Sequence, residues 1–151
     1  WLEQLGEPAD RVARWLNRDS GLKGIAGTND MRDVLARAGQ DEPAARLALG
    51  MYLHRLRHYI GAYRAALPEL DALVFTGGVG EHATAIRAGA CRDLGHLGLH
   101  LDAAANAAPP YGIAELQSPQ AAIKILVVPA DEEAEIARQC LELLAIGGAP
   151  D

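Results

Sequence analysis

Leu49, Leu53, Leu56, Ile60 and Tyr63 recur at alternating spacings of four and three, which predicts one apolar face on a long helix. Asp41 or Glu42 followed by Pro43 marks its start, because proline fits the first turn, and Pro68 ends it at about residue 67. Gly50 and Gly61 each lower its intrinsic propensity by about 1 kcal/mol relative to Ala and suit close packing against another helix. Arg55, Arg57 and His58 fall on the solvated side. Shorter helices are predicted over residues 7–16, with Val12, Trp15 and Leu16 as the apolar side, and over 31–38, capped by Asn29 or Asp30. Others are predicted over 81–91, over 101–108 before Pro109-Pro110, and from Glu132 to about residue 144, burying Ile136, Cys140, Leu141 and Leu144. Residues 22–28, with Gly24 and Gly27 following Gly21, predict a loop or irregular extended segment, and 94–99 are too glycine-rich for a long element.

Two largely apolar runs, interrupted only by Asp71 and Lys124, break this helical period, residues 70–75 and 123–128. Both predict strands, the first one covered on both faces. Strands alternating with helices imply an α/β domain, helix-rich, with parallel pairing. Two strands make a poor sheet, so further strands are expected before Trp1. The start at Trp1 rather than Met accords with a piece of a longer polypeptide.

Composition narrows the class. A chain of 151 residues that is 50% hydrophobic supports one domain with a full core. Aromatics supply only 5%, so Leu, Ala, Val and Ile must build that core. The net charge of −6 argues against nucleic acid or an anionic membrane as a general partner, although a small positive site for a nucleotide remains compatible. No apolar run approaches a membrane span. Cys91 and Cys140 have no metal spacing and read as free buried thiols in a reducing cytosol, so a cytoplasmic location is expected.

The chemistry concentrates after the first strand, where Phe75-Thr76 runs into Gly77-Gly78-Val79-Gly80-Glu81-His82. Glycines let a ligand approach the backbone without meeting a Cβ, and a strand-turn-helix aims N–H groups past the strand's carboxyl end. The turn lacks the Lys and Ser/Thr of a P-loop, and Ala83 replaces the third glycine of a dinucleotide fingerprint. Tight strand-to-helix packing without any ligand explains the same glycines.

Taken together, Thr28-Asn29-Asp30-Met31-Arg32-Asp33, the glycine turn, and Val128-Pro129-Ala130-Asp131-Glu132-Glu133 resemble the acetate kinase (acetokinase) family of the actin-like sugar kinase and heat-shock ATPase superfamily. Ser20 to Gly27 and the His54 to Tyr63 helix extend the resemblance over nearly the whole chain. It implies a partial actin-like, ribonuclease H-like ATPase domain, with residues 1–151 as the carboxyl-terminal nucleotide-binding half. The implied reaction transfers the γ-phosphoryl of ATP to acetate, giving acetyl phosphate and ADP reversibly, with Mg2+ and a homodimeric enzyme. By the same resemblance Asp30, Met31 and Arg32 lie beside the adenosine, Gly78, Val79, Gly80, Glu81 and His82 hold the nucleotide, and Glu132 serves the magnesium site through water. No catalytic residue is assigned, because the acetate pocket and the arginines and histidine that stabilise the transferring group map to earlier sequence, so this piece alone is expected to be inactive.

Each role has a plainer rival. Glu132 is also a first-turn acid favoured by the helix dipole, Arg32 also a surface partner of Asp30 or Asp33, and Glu81 is expected to turn away from phosphate, onto amides, a hydroxyl or water. Met31, His82 and Asp131 depart from the family pattern. Met31 still offers a polarizable thioether to a flat base. Alternative functions are a propionate or butyrate kinase, a noncatalytic dimerisation or nucleotide-sensing module, and a dehydrogenase fragment.

Overall fold

A computed structural model describes residues 6–108 and 112–147. Helix α1 (Ala9–Arg14) runs through a π turn (Trp15–Asp19) into α2 (Gly21–Ala26), followed by α3 (Met31–Gly39) and the long α4 (Pro43–Ala66). Strand β1 (Ala72–Phe75) leads into α5 (Gly77–His82) and α6 (Thr84–Cys91). A 3-10 turn (Gly95–Leu97), α7 (Ala103–Ala107), β2 (Ala114–Glu115), β3 (Lys124–Val127) and α8 (Glu132–Gly147) complete the order. Pro109 and Pro110, expected to stop α7, lie outside the described residues.

The sheet has the order β1-β3-β2, with β1 parallel and β2 antiparallel to β3. The parallel pairing matches the sequence reading. Central β3 buries Ile125 and Val127 completely. The expectation that both faces of β1 are covered fails at Val74, which is 48% exposed, because the described residues leave that side chain's face of the strand uncovered. Two residues long, β2 left too little pattern to predict.

Two hydrophobic clusters form the interior. Cys91, Leu94, Leu99, Leu116, Ile123, Ile125 and Val127 pack at the sheet, and Ala26, Met31, Val34, Ala48 and Ile86 pack among the helices. Helix α6 contributes to both. Within α4 the face is as predicted from Leu49 through Ile60, but Ala45 and Ala48 are its buried residues and Tyr63 is exposed.

Residues 21–26 form a helix where a loop or extended segment was predicted. Leu22, Ile25 and Ala26 pack on the helical cluster, and tertiary burial overrides the poor propensity of the glycines. The apolar side predicted for residues 7–16 is not buried; Leu16 is exposed. In α8, Ile136, Cys140, Leu141 and Leu144 are exposed rather than buried, because the described residues place no element over that helix. Cys91 is a buried thiol as expected, pushed up to about 11 by burial, and Cys140 is not buried.

Candidate functional site

The first wall of the site is the start of α3. Asp30 caps that helix in an extended conformation, its Oδ1 accepting from the Arg32 amide at 2.9 Å. The Arg32 side chain folds back on the same carboxylate, with Nε to Oδ1 at 3.0 Å and Nη2 to Oδ2 at 2.6 Å. The Arg32 guanidinium and amide hold the Asp30 carboxyl down at about 2. Met31, 6% exposed, anchors this turn in the helical cluster.

The second wall is α5. The glycine run was predicted as a turn ahead of a helix beginning at Glu81, but the helix begins at Gly77 itself. Gly77 has φ +69°, the left-handed conformation that lets the chain swing from β1 directly into a helical turn. Gly80 faces the strand. A Cβ there would lie 3.1 Å from the Phe75 carbonyl carbon, so this glycine serves the close strand-helix approach, while a Cβ at Gly78 would meet nothing within 4 Å.

The third wall is the β3–α8 junction. Asp131 accepts from the Ala134 amide at 3.0 Å and so caps α8. The Glu81 carboxylate accepts from the Ala130 amide at 2.9 Å, tying α5 to this junction. That agrees with the expectation that Glu81 turns onto backbone amides.

Two cavities meet along α5. One, of about 350 Å³, is lined by Asp30, Met31, Arg32, Leu35, Gly78, Val79, His82 and Ala83. The other, of about 430 Å³, is bounded by Gly77, Gly78, Glu81, His82 and the 130–133 junction, with Glu132 among its lining residues. Gly78 and His82 line both. The structure thus gathers every candidate residue at these two cavities except Gly80, which lines neither. The first cavity presents apolar side chains from Met31, Leu35 and Val79 beside the Asp30–Arg32 pair. The second presents carboxylates and glycine backbone.

Among the described residues, no group of three or more His, Cys, Asp or Glu is arranged to hold a metal ion. Glu81 and Asp131 are already engaged by amides, whereas Glu132 and Glu133 are exposed, with no hydrogen-bond partner among the described residues. A set of one or two available carboxylates fits magnesium, which keeps several waters and takes its remaining oxygens from phosphate.

Sequence reading missed the residue that holds α5 in place. The Arg87 side chain is 0% exposed, with Nη1 donating to the Gly80 and Glu81 carbonyls at 2.9 and 2.7 Å. Its Nε donates to Asn106 Oδ1 at 2.7 Å and its Nη2 to the Asn106 carbonyl at 3.0 Å. Asn106, also buried, donates to the Thr84 carbonyl at 3.1 Å. A signal was present: a single arginine in Thr84-Ala85-Ile86-Arg87-Ala88-Gly89-Ala90-Cys91, a stretch otherwise without charge.

A family model described as the acetokinase family matches residues 1–138. An acetate kinase of Leifsonia xyli subsp. xyli is 50% identical over 138 residues, 91% of this chain and 35% of that protein. A solved acetate kinase of Porphyromonas gingivalis superposes with TM-score 0.84 at 33% identity, covering 95% of this chain and 36% of that one. A solved propionate kinase of Francisella tularensis subsp. tularensis gives 0.81 at 36% identity, covering 89% and 34%. The chain therefore spans about a third of the length of the relatives it matches.

Proposed function

The chain belongs to the acetokinase family, and on that premise we propose that it is the carboxyl-terminal, nucleotide-side part of an enzyme that transfers the γ-phosphoryl of ATP to the carboxylate of acetate. The observation that carries this reading is the pair of cavities sharing Gly78 and His82, one with apolar side chains and one with carboxylates. A purine fits against Met31, Leu35 and Val79, and the polyphosphate continues past the Gly78 backbone, which carries no Cβ to obstruct it. Arg32 is exposed beside the first cavity, where it is available to ribose or phosphate. Exposed His82 offers a ring N–H between the two.

Phosphoryl transfer depends on positioning and charge neutralisation more than on covalent help from the protein. Magnesium supplies that neutralisation when bound with the nucleotide, and Glu132, unengaged by the fold, is the residue that would hold its water shell. Asp131 is the helix cap, so its departure from the family pattern leaves a carboxylate oxygen in a structural role. The likeness to a propionate kinase favours a second reading in which a slightly longer acyl chain is the acceptor. The proposed enzyme is a cytoplasmic homodimer, for which Leu47 and Met51, exposed on α4, offer apolar surface. Among the described residues no helix is long and apolar enough to cross a membrane.

Calorimetric titration of a full-length polypeptide carrying this segment tests the reading. ADP and ATP with magnesium should bind, NADH should not, and Glu132→Ala should raise the magnesium concentration needed for half-maximal binding. Preference for NADH, or no ATP or ADP binding by a folded protein, would overturn it. Residues 1–151 alone should form no ADP from ATP and acetate, and measurable turnover would contradict that assignment.

A further inference from the structure

Arg87 lies outside the two cavities, yet two of its four side-chain hydrogen bonds end on the element they share, at the Gly80 and Glu81 carbonyls of α5, and the other two end on Asn106 of α7. Its guanidinium has five N–H donors, and the four bonds described above use one each. All four acceptors are neutral oxygens: the carbonyls of Gly80, Glu81 and Asn106 and the Asn106 side-chain amide. Among the described residues no carboxylate forms an ion pair with it; the ion-paired arginines all lie elsewhere. A fully buried cation normally has a carboxylate partner. Here the fold keeps the charge and satisfies it with dipoles alone, directly behind the segment that separates the cavities. Burial lowers the affinity of Arg87 for its proton, but an arginine keeps that proton in proteins.

Resting on the nucleotide reading above, we propose that Arg87 is a positioning residue for the polyphosphate. It locks the carboxyl end of α5, and so Gly78 and His82, and its uncompensated positive charge favours an anion on the cavity side of that helix. A neutral side chain of similar shape would complete part of the packing but supply no field. A carboxylate at Asn106 would cancel the field while leaving the arginine in place.

The test compares adenosine, ADP and ATP, each titrated into a full-length polypeptide carrying this segment, with the melting temperature recorded for every variant. Asn106→Asp keeps an oxygen for Arg87 Nε and adds the missing negative charge. It should weaken ADP binding about fifteenfold, the factor that one pair of unit charges carries over roughly 10 Å at an effective dielectric constant of about 20. ATP should lose more than ADP, and adenosine should stay within about twofold. Arg87→Lys and Arg87→Gln supply the same comparison if the Asp variant does not fold. Both disturb α5, but only Gln should lower the ratio of ATP to adenosine affinity. Equal losses for all three ligands, or equal ratios in the Lys and Gln proteins, would reduce Arg87 to a scaffold residue and overturn the charge assignment. Failure of the unaltered protein to bind ADP or ATP would instead remove the nucleotide site itself, and this inference with it.

Discussion

In α6, Ile86, Arg87, Gly89, Ala90 and Cys91 are buried within eight residues, whereas in α8 every side chain described, 132–144, is exposed. Both helices carry apolar residues at helical spacing. Helix α6 lies between the sheet cluster and the helical cluster, and its Gly89 packs so closely that a Cβ would come within 2.6 Å of Leu53 Cδ1. Helix α8 is held by local devices: the Asp131 cap, acidic residues in its first turn, and Arg138 bridging Glu135 and Glu142. Such contacts contribute about 0.3–1 kcal/mol each at an exposed surface. Periodicity therefore identifies which face of a helix is apolar, and the covering element decides whether that face is buried.

Removing Arg87 should give the largest effect, because it breaks α6 away from α5 and α7 together. Arg87→Leu leaves four acceptors without this donor, two on buried Asn106 and two part-buried on α5, and at about 1–3 kcal/mol per unsatisfied buried group, less relaxation and water entry, the loss should be about 3 kcal/mol or more. Denaturant unfolding of the two proteins measures it. A loss under about 1 kcal/mol would show that the α5–α6–α7 junction stands without its arginine.

The next contrast sets the covered region directly against the uncovered one. Ile125→Ala, in the centre of the sheet, should cost about 2–5 kcal/mol. Leu144→Asp, at a position 72% exposed in α8, should stay within about 0.5 kcal/mol in the 151-residue chain. A large cost at Leu144 in the same unfolding experiment would mean that α8 is covered after all.

A smaller pair separates scaffold from site along α5. Gly80→Ala should destabilise by about 1–3 kcal/mol, since its Cβ meets the Phe75 backbone. Gly78→Ala has open space, so stability should hold or rise by up to about 1 kcal/mol as helix propensity improves. Nucleotide affinity should fall for a β-branched residue at Gly78. If stability drops equally at both glycines, the whole run is packing and the cavity wall at Gly78 loses its special status.

What was legible followed the same division. The α4 face from Leu49 through Ile60, though not at Tyr63, the α3 cap expected at Asn29 or Asp30 and found at Asp30, and the parallel β1–β3 pairing are present. Met31, Gly78 and Glu132 were singled out on residue types that three separate segments share with a family, and the structure brings those segments to adjoining cavities. The misses are tertiary in origin. Residues 21–26 became a helix because α3 and α4 offer a surface to cover, and the role of Arg87 depends on Asn106, nineteen residues away. No spacing within one segment encodes such a pairing.

The smallest effect concerns the Asp30–Arg32 pair, on the exposed rim of the first cavity. Asp30 titrates at about 2, below its ordinary 3.8, first because of the Arg32 guanidinium and next because of the Arg32 amide. A depressed carboxyl contributes stability that is fully present above its unfolded value and is lost as pH falls through about 2. The cap therefore holds at every pH above the ordinary carboxylate range. Arg32→Ala removes only the guanidinium, so the Asp30 midpoint, followed by carboxyl-carbon NMR, should rise to between about 2 and 3.8 while the amide still holds it below the upper limit. In the full-length polypeptide, saturating ADP should produce a rise in the same direction if Arg32 leaves Asp30 for the ligand. Saturation with no movement of that midpoint would assign Arg32 to the surface pair, and the nucleotide would then be held at this wall by Met31 and the glycine backbone.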